Sequence, residues 1–219
     1  MSGSGYTSWL DLAAGGLLLF AVLIVWRRDL AGMVALLGAQ GVALGLIPIL
    51  TGAHTGDSSL IGVGAWVLVL RAVLIPGLLR KLLRGDIPPI DSAPTLNTTA
   101  SLLAAALLTI LAFAATRSLV NLDPTVSVRA APLGLAVVLL GVFVLVTRRR
   151  AVSQVVGFLL VDNGITAIAF LLTAGVPVVV EIGASLDVLL AVLVLQILGG
   201  RMRTKFGGTR IDELRELHE

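Results

Sequence analysis

Apolar residues run through this chain in seven long blocks separated by short polar joints. The blocks are Trp9–Trp26, Leu30–Leu50, Leu60–Leu83, Thr98–Thr116, Ala130–Thr147, Val152–Ala174 and Val176–Gly200. Each approaches the roughly 20 apolar residues that a helix needs to cross the hydrocarbon core of a bilayer. The joints carry the punctuation: Arg27-Arg28-Asp29, Thr51–Asp57, and a longer stretch 85–97 with Pro88, Pro89 and Pro94. No block shows the in/out alternation over about ten residues that a transmembrane barrel requires. Helices satisfy their own backbone hydrogen bonds in lipid, so the pattern predicts an all-α polytopic membrane protein of about seven transmembrane helices.

Composition removes the alternatives. Of 219 residues 57% are apolar and 13% charged, and mean hydropathy is +1.03. A soluble domain carries about 25% charged residues, so this chain cannot cover a water-facing surface. There is no Cys, which excludes disulfides, thiolate metal sites and cysteine-ligated iron–sulfur clusters. His54 falls in a joint and His218 near the C-terminus, so neither is placed to ligate haem or metal in the membrane. No resident cofactor, no metal and no catalytic site of the chain's own are expected.

The pI near 10.2 ordinarily invites a nucleic-acid reading. Seven spans give it another cause. One side of the bilayer receives Arg27, Arg28, Arg80, Lys81, Arg84, Arg148, Arg149, Arg150, Arg201, Arg203, Lys205, Arg210 and Arg215, which is 13 of the 16 basic residues. The other side receives Arg117 and Arg129. The positive-inside rule then places the C-terminus in the cytoplasm and the N-terminus outside, and no nucleic-acid partner is needed. No Lys or Arg precedes the first span, which argues against a signal peptide. Trp9 and Trp26 flank that span as interfacial anchors. The tail from Thr209 has a small apolar stripe (Ile211, Leu214, Leu217) suited to docking on a partner or lying on headgroups.

An internal repeat is expected as well. An offset of 122 carries Arg27-Arg28 onto Arg149-Arg150, Gln40 onto Asp162, and Ile49-Leu50-Thr51 onto Leu171-Leu172-Thr173. An offset of 121 carries Ile61-Gly62 onto Ile182-Gly183. The organisation read from this is a three-helix unit (1–84), a loop and connecting helix (85–129), a second three-helix unit (130–200) and a tail (201–219). The odd connector restores direction, so the repeats are parallel, 3+1+3.

Four ionisable residues fall inside predicted spans: Arg71, Asp162, Glu181 and Asp187. A charge at the bilayer centre costs roughly 2.5–3.5 kcal/mol on insertion scales, so each must be paired, hydrated or neutralised. Asp162 shares a helical face with Thr166 and Thr173, and Asn163 lies about 100° away. Glu181 and Asp187, six residues apart, point to different faces. Gln196 falls roughly on the Glu181 side. Arg71 is the counter-charge available to Asp162 or Asp187. One reading is a file of titratable groups that carries ions through the bilayer. The other is ion-pair glue that fixes helix register.

Several of these residues bring a family into view. Val161-Asp162-Asn163-Gly164, Val180-Glu181-Ile182-Gly183 and Leu186–Val192 resemble the C-terminal half of hydrogenase-4 component E. The resemblance extends to Gln40, to Arg71–Pro76, to Asp86-Ile87-Pro88 and to Gly208-Thr209, and so covers nearly the full chain. Asp162 stands where that family usually has Glu, and Arg71 where it often has Lys. The resemblance implies a non-redox membrane-arm subunit of a complex I-like, group 4 [NiFe]-hydrogenase-type assembly in the prokaryotic plasma membrane. Its partners would be antiporter-like and H-type membrane subunits and a peripheral hydrogenase-like arm. The family's C-terminal half is similar to the K-type subunit of complex I and to the C subunit of multi-subunit cation/proton antiporters. It also implies two membrane carboxylates on a proton path. Asp162 matches the first, and either Glu181 or Asp187 the second. Gln40, Asn163, Thr166 and Gln196 would be supporting polar groups. The residues leave open H⁺ against Na⁺, a purely structural scaffold, and a stand-alone secondary transporter.

Overall fold

The computed structural model describes residues 3–83, 97–122 and 124–173. The seventh apolar block, with Glu181, Asp187 and Gln196, and the tail lie outside the described residues. The elements are α1 (Gly3–Trp26), α2 (Leu30–Thr55), α3 (Ser58–Leu68), a π-helical stretch (Val69–Leu74), α4 (Ile75–Leu83), α5 (Thr98–Leu122), α6 (Val126–Thr147) and α7 (Ala151–Thr173). All are helical, and α3, the π stretch and α4 run on as one rod. Among the described residues six helical segments are long and apolar enough to span a membrane: Gly3–Trp26, Leu30–Thr55, Ser58–Lys81, Thr98–Leu122, Val126–Thr147 and Val152–Leu172. The chain has the architecture of a multi-pass membrane protein, with large apolar side chains facing outward where lipid would lie. Leu103, Leu107 and Ile110 of α5 are each about two-thirds exposed.

Four helices, α1, α2, α5 and α6, are longer than the apolar blocks suggest, and the first two show why. α1 begins at Gly3, because the Thr7 and Ser8 hydroxyls donate back to the Gly3 and Ser4 carbonyls and let a polar segment stay helical. α2 runs through Pro48 to Thr55 rather than stopping at Leu50. There Thr51 and Thr55 donate to the Ile47 and Thr51 carbonyls, and the helix ends only at Gly56, whose φ of 78° needs glycine. His54 therefore sits in the last helical turn, not in a loop, and its ring stacks on Tyr6 with centroids 4.2 Å apart. Asp57 then caps α3 by accepting from the Ser59 amide and hydroxyl.

The helices approach closely along glycine seams. A Cβ on Gly45 of α2 would lie 3.0 Å from the Gly64 carbonyl of α3, and the reciprocal distance is 2.9 Å. Gly134 and Gly141 of α6 meet Gly164 and Gly157 of α7 in the same manner. In lipid there is no hydrophobic drive between helices, so such close backbone contact supplies much of the association. Of the two glycines in Gly62-Val63-Gly64, only Gly64 takes part in such a seam. A Cβ on Gly62 would meet nothing within 4 Å.

Both ends of the bundle are tied by polar contacts. At the end holding Arg27, Arg28, Arg80, Lys81 and Arg148–Arg150, Arg28 donates to Thr98 at 3.1 Å. Arg148 donates to the Val25 and Arg27 carbonyls, each at 2.9 Å. Arg148 is 6% exposed, so it is a buried clasp on the C-terminus of α1 rather than a solvated anchor. A cation suits that place, where orphan carbonyls point outward. At the opposite end the Tyr6 hydroxyl lies 3.4 Å from Thr51 Oγ1 and 3.2 Å from Ser127 Oγ.

Candidate functional site

Pro76 shapes the centre of the third span. Proline has no amide hydrogen, and its ring crowds the carbonyl four residues earlier, here Ala72. The helix relaxes just before it into a π stretch, in which the Ile75 amide reaches the Leu70 carbonyl five residues back. Arg71 lies inside this stretch. Such wide turns recur at functional sites because they re-aim a side chain. On the facing helix, Gly41 makes room: a Cβ there would lie 2.5 Å from both the carbonyl carbon and oxygen of Arg71.

The Arg71 guanidinium extends to α7 and is 2% exposed. Nη1 donates to Asp162 Oδ2 in a close ion pair and to Asn163 Oδ1 at 2.6 Å. Nη2 donates to Thr166 Oγ1 at 3.0 Å. Asn163 Nδ2 then donates to Gln40 Oε1 at 2.8 Å, and Gln40 Nε2 donates to the Leu17 carbonyl of α1 at 3.0 Å. One connected network thus joins the third span to α7, α2 and α1. The planar fork of Arg suits this work, because it meets several oxygens in fixed directions.

Depth and burial set the character of the site. Arg71 is ten residues from Lys81, Gln40 ten from Leu30, and Asp162 eleven from Ala151. At 1.5 Å per residue all three lie about 15–17 Å from the basic end, near the middle of a core about 30 Å thick. Gln40, Asn163 and Thr166 are 0%, 3% and 6% exposed. Asp162 is 19% exposed, so it is the member through which the cluster meets its surroundings.

Sequence reasoning named Arg71, Asp162, Asn163, Thr166 and Gln40, and the structure brings all five together. Glu181, Asp187 and Gln196 fall outside the described residues, and so does the side chain of Thr173. Two contributors were missed. Gly41 is one, and its signal was the recurrence Gly38, Gly41, Gly45, Gly52 along α2. The π stretch is the other, and its signal was Pro76 five residues after the membrane Arg.

No family model matches the chain, and no solved structure matches it. A curated protein of Mycobacterium tuberculosis (strain ATCC 25618 / H37Rv), "Uncharacterized protein Rv0085", is 52% identical over 220 residues, covering 100% of both chains. The chain belongs to the same family as this mycobacterial protein.

Proposed function

We propose that the protein is a non-redox membrane subunit of a complex I-like hydrogenase or related oxidoreductase, and that it lends intramembrane carboxylates to proton translocation. The observation that carries the reading is the Arg71–Asp162 pair at mid-membrane depth, tied to Asn163, Thr166 and Gln40 and open to its surroundings only at Asp162. Ionisable groups at this depth are expensive and mark ion pathways by default. Glu181 or Asp187 supplies the second carboxylate. The membrane is the prokaryotic plasma membrane, with the basic end and the C-terminus in the cytoplasm. The 3+1+3 repeat is supported by contacts at three depths whose partners are 121–123 residues apart: Tyr6 with Ser127, Val25 and Arg27 with Arg148, and Gln40 with Asn163. Related positions meet in this way across a two-fold axis.

The test is Asp162→Asn in the assembled complex. The variant is expected to assemble, to keep electron transfer, and to lose the proton movement coupled to it. Full coupling in that variant removes Asp162 from the path. A scaffold role is the second reading, favoured by the three acceptors on α7 that Arg71 engages among the described residues. Co-purification with a hydrogenase-like subunit and an antiporter-like subunit is expected under both readings. Isolation of the chain alone, with uptake activity in liposomes, would replace both with a transporter.

A further inference from the structure

The network contains an oxygen set of a familiar kind. Asp162 Oδ2, Asn163 Oδ1 and Thr166 Oγ1 converge from less than two turns of α7, with one formal negative charge among them. A carboxylate, an amide carbonyl and a hydroxyl are the donors that hard metal cations take. All three point at the Arg71 guanidinium. We propose that Arg71 is the resident cation of a three-oxygen cage, and that its occupancy makes the site blind to Na⁺ and leaves H⁺ as the ion it handles.

Three observations carry this. Arg71 is covalently tethered in the cage, held in place by the π stretch and by the backbone contact at Gly41. Its charge offsets that of Asp162, the carboxylate paired with it among the described residues, and so weakens the pull on a second cation. A further monovalent cation about 4 Å from the guanidinium would meet repulsion that weakens binding about a thousand-fold at an effective dielectric near 20. A proton needs no cage. It adds to a carboxylate oxygen, and Asp162 is the member of the cluster exposed enough to receive one. Removing the guanidinium should convert an Arg site into a Na⁺ site, since three oxygens, one negative charge and room for water remain.

That H⁺ is the ion handled rests on the translocation reading above, but the exclusion of Na⁺ can be measured without it. The full chain is placed in lipid bicelles, and its thermal midpoint is followed as NaCl replaces choline chloride at constant ionic strength. Labelling of Asp162 by a carbodiimide is followed in parallel. For the unaltered chain, neither the midpoint nor the labelling should respond to Na⁺. A Na⁺-specific rise, or Na⁺ protection of Asp162, overturns the proposal whether or not any variant folds. In Arg71→Ala the midpoint is expected to rise with Na⁺ and saturate, as binding to the folded state alone requires, and Na⁺ should protect Asp162. Both effects should vanish in Arg71→Ala/Asp162→Asn. Arg71→Lys keeps the charge and should stay blind to Na⁺. A folded Arg71→Ala chain with no Na⁺ response, or a Na⁺-responsive Arg71→Lys, rejects the cage. Loss of the translocation reading shows elsewhere, as coupled proton movement in the Asp162→Asn complex, and leaves these binding results intact.

Discussion

The pairing of Arg71 with Asp162 makes a quantitative demand on stability. Removing one partner of a buried pair costs about 3–5 kcal/mol, because the other charge is left uncompensated. In Asp162→Asn, Arg71 keeps its bonds to Asn163 at 2.6 Å and Thr166 at 3.0 Å. The loss should therefore fall at the low end, about 3 kcal/mol. Insertion scales give an independent figure of roughly 2.5–3.5 kcal/mol for one charge at the bilayer centre, which agrees. Arg71→Met strands Asp162 and should cost a similar amount. Replacing both, as Arg71→Met/Asp162→Leu, removes the desolvation penalty together with the attraction, and should lie within about 1 kcal/mol of the unaltered chain. The singles sum to about 6 kcal/mol, so the cycle predicts a coupling of about 5 kcal/mol. Unfolding in bicelles with a denaturing detergent measures each term. A double variant as unstable as either single would refute charge compensation as the reason these residues coexist. The same protein then separates the two functional readings. A stable double variant that assembles but moves no protons fits a pathway, whereas one that assembles and stays fully coupled fits a scaffold.

Three further outcomes are expected. Gly41→Ala should destabilise by about 1–3 kcal/mol, because the new methyl group meets the Arg71 backbone at 2.5 Å. Gly77→Ala, whose Cβ meets nothing within 4 Å, should be neutral or stabilising in the same unfolding assay. Arg148→Met should lose about 2–4 kcal/mol, since two charge-assisted bonds to the Val25 and Arg27 carbonyls disappear from a buried place. The neighbouring exposed Arg149→Met should change stability by less than about 0.5 kcal/mol. Asp57 lies between spans, and its bonds from Ser59 hold its carboxyl below the usual 3.8. A depressed carboxylate stabilises above its unfolded pKa and loses that contribution as pH falls through the folded value. Hydrogen-exchange protection at the start of α3, corrected for the intrinsic pH dependence of amide exchange, should therefore fall below about pH 4, and the fall should be absent in Asp57→Ala.

Helices crossing a membrane were legible because lipid leaves the backbone few options and imposes a length. The helix ends were less so. Thr7 and Ser8 precede the first apolar block and Thr51 and Thr55 fall in a joint, yet each hydroxyl folds back onto its own helix. Polarity reports what a residue prefers to meet, and a backbone carbonyl four residues away meets that preference without ending the helix. The burial of Arg148 was hidden for a similar reason. A basic residue at a membrane boundary is usually solvated, and only the tertiary approach of α1 turns it into a buried clasp.

The candidate site divides along the same line. A charge inside an apolar block is visible at once, because composition makes it anomalous, and so Arg71 and Asp162 were legible. Their partnership was visible only as one of two possibilities for Arg71. The geometry that selects Asp162 is not local to either residue. It needs Pro76 to loosen the helix at Arg71, Gly41 to let α2 approach the Arg71 backbone, and Gln40 to anchor Asn163 to the Leu17 carbonyl. None of these three is chemically conspicuous, yet together they determine where the guanidinium ends. The charged residues state that a site exists, and the proline, glycine and amide decide which oxygens it joins. Substitutions at Gly41 and Gln40 should therefore disturb the site as strongly as changes at some of the ionisable residues, although neither carries a charge.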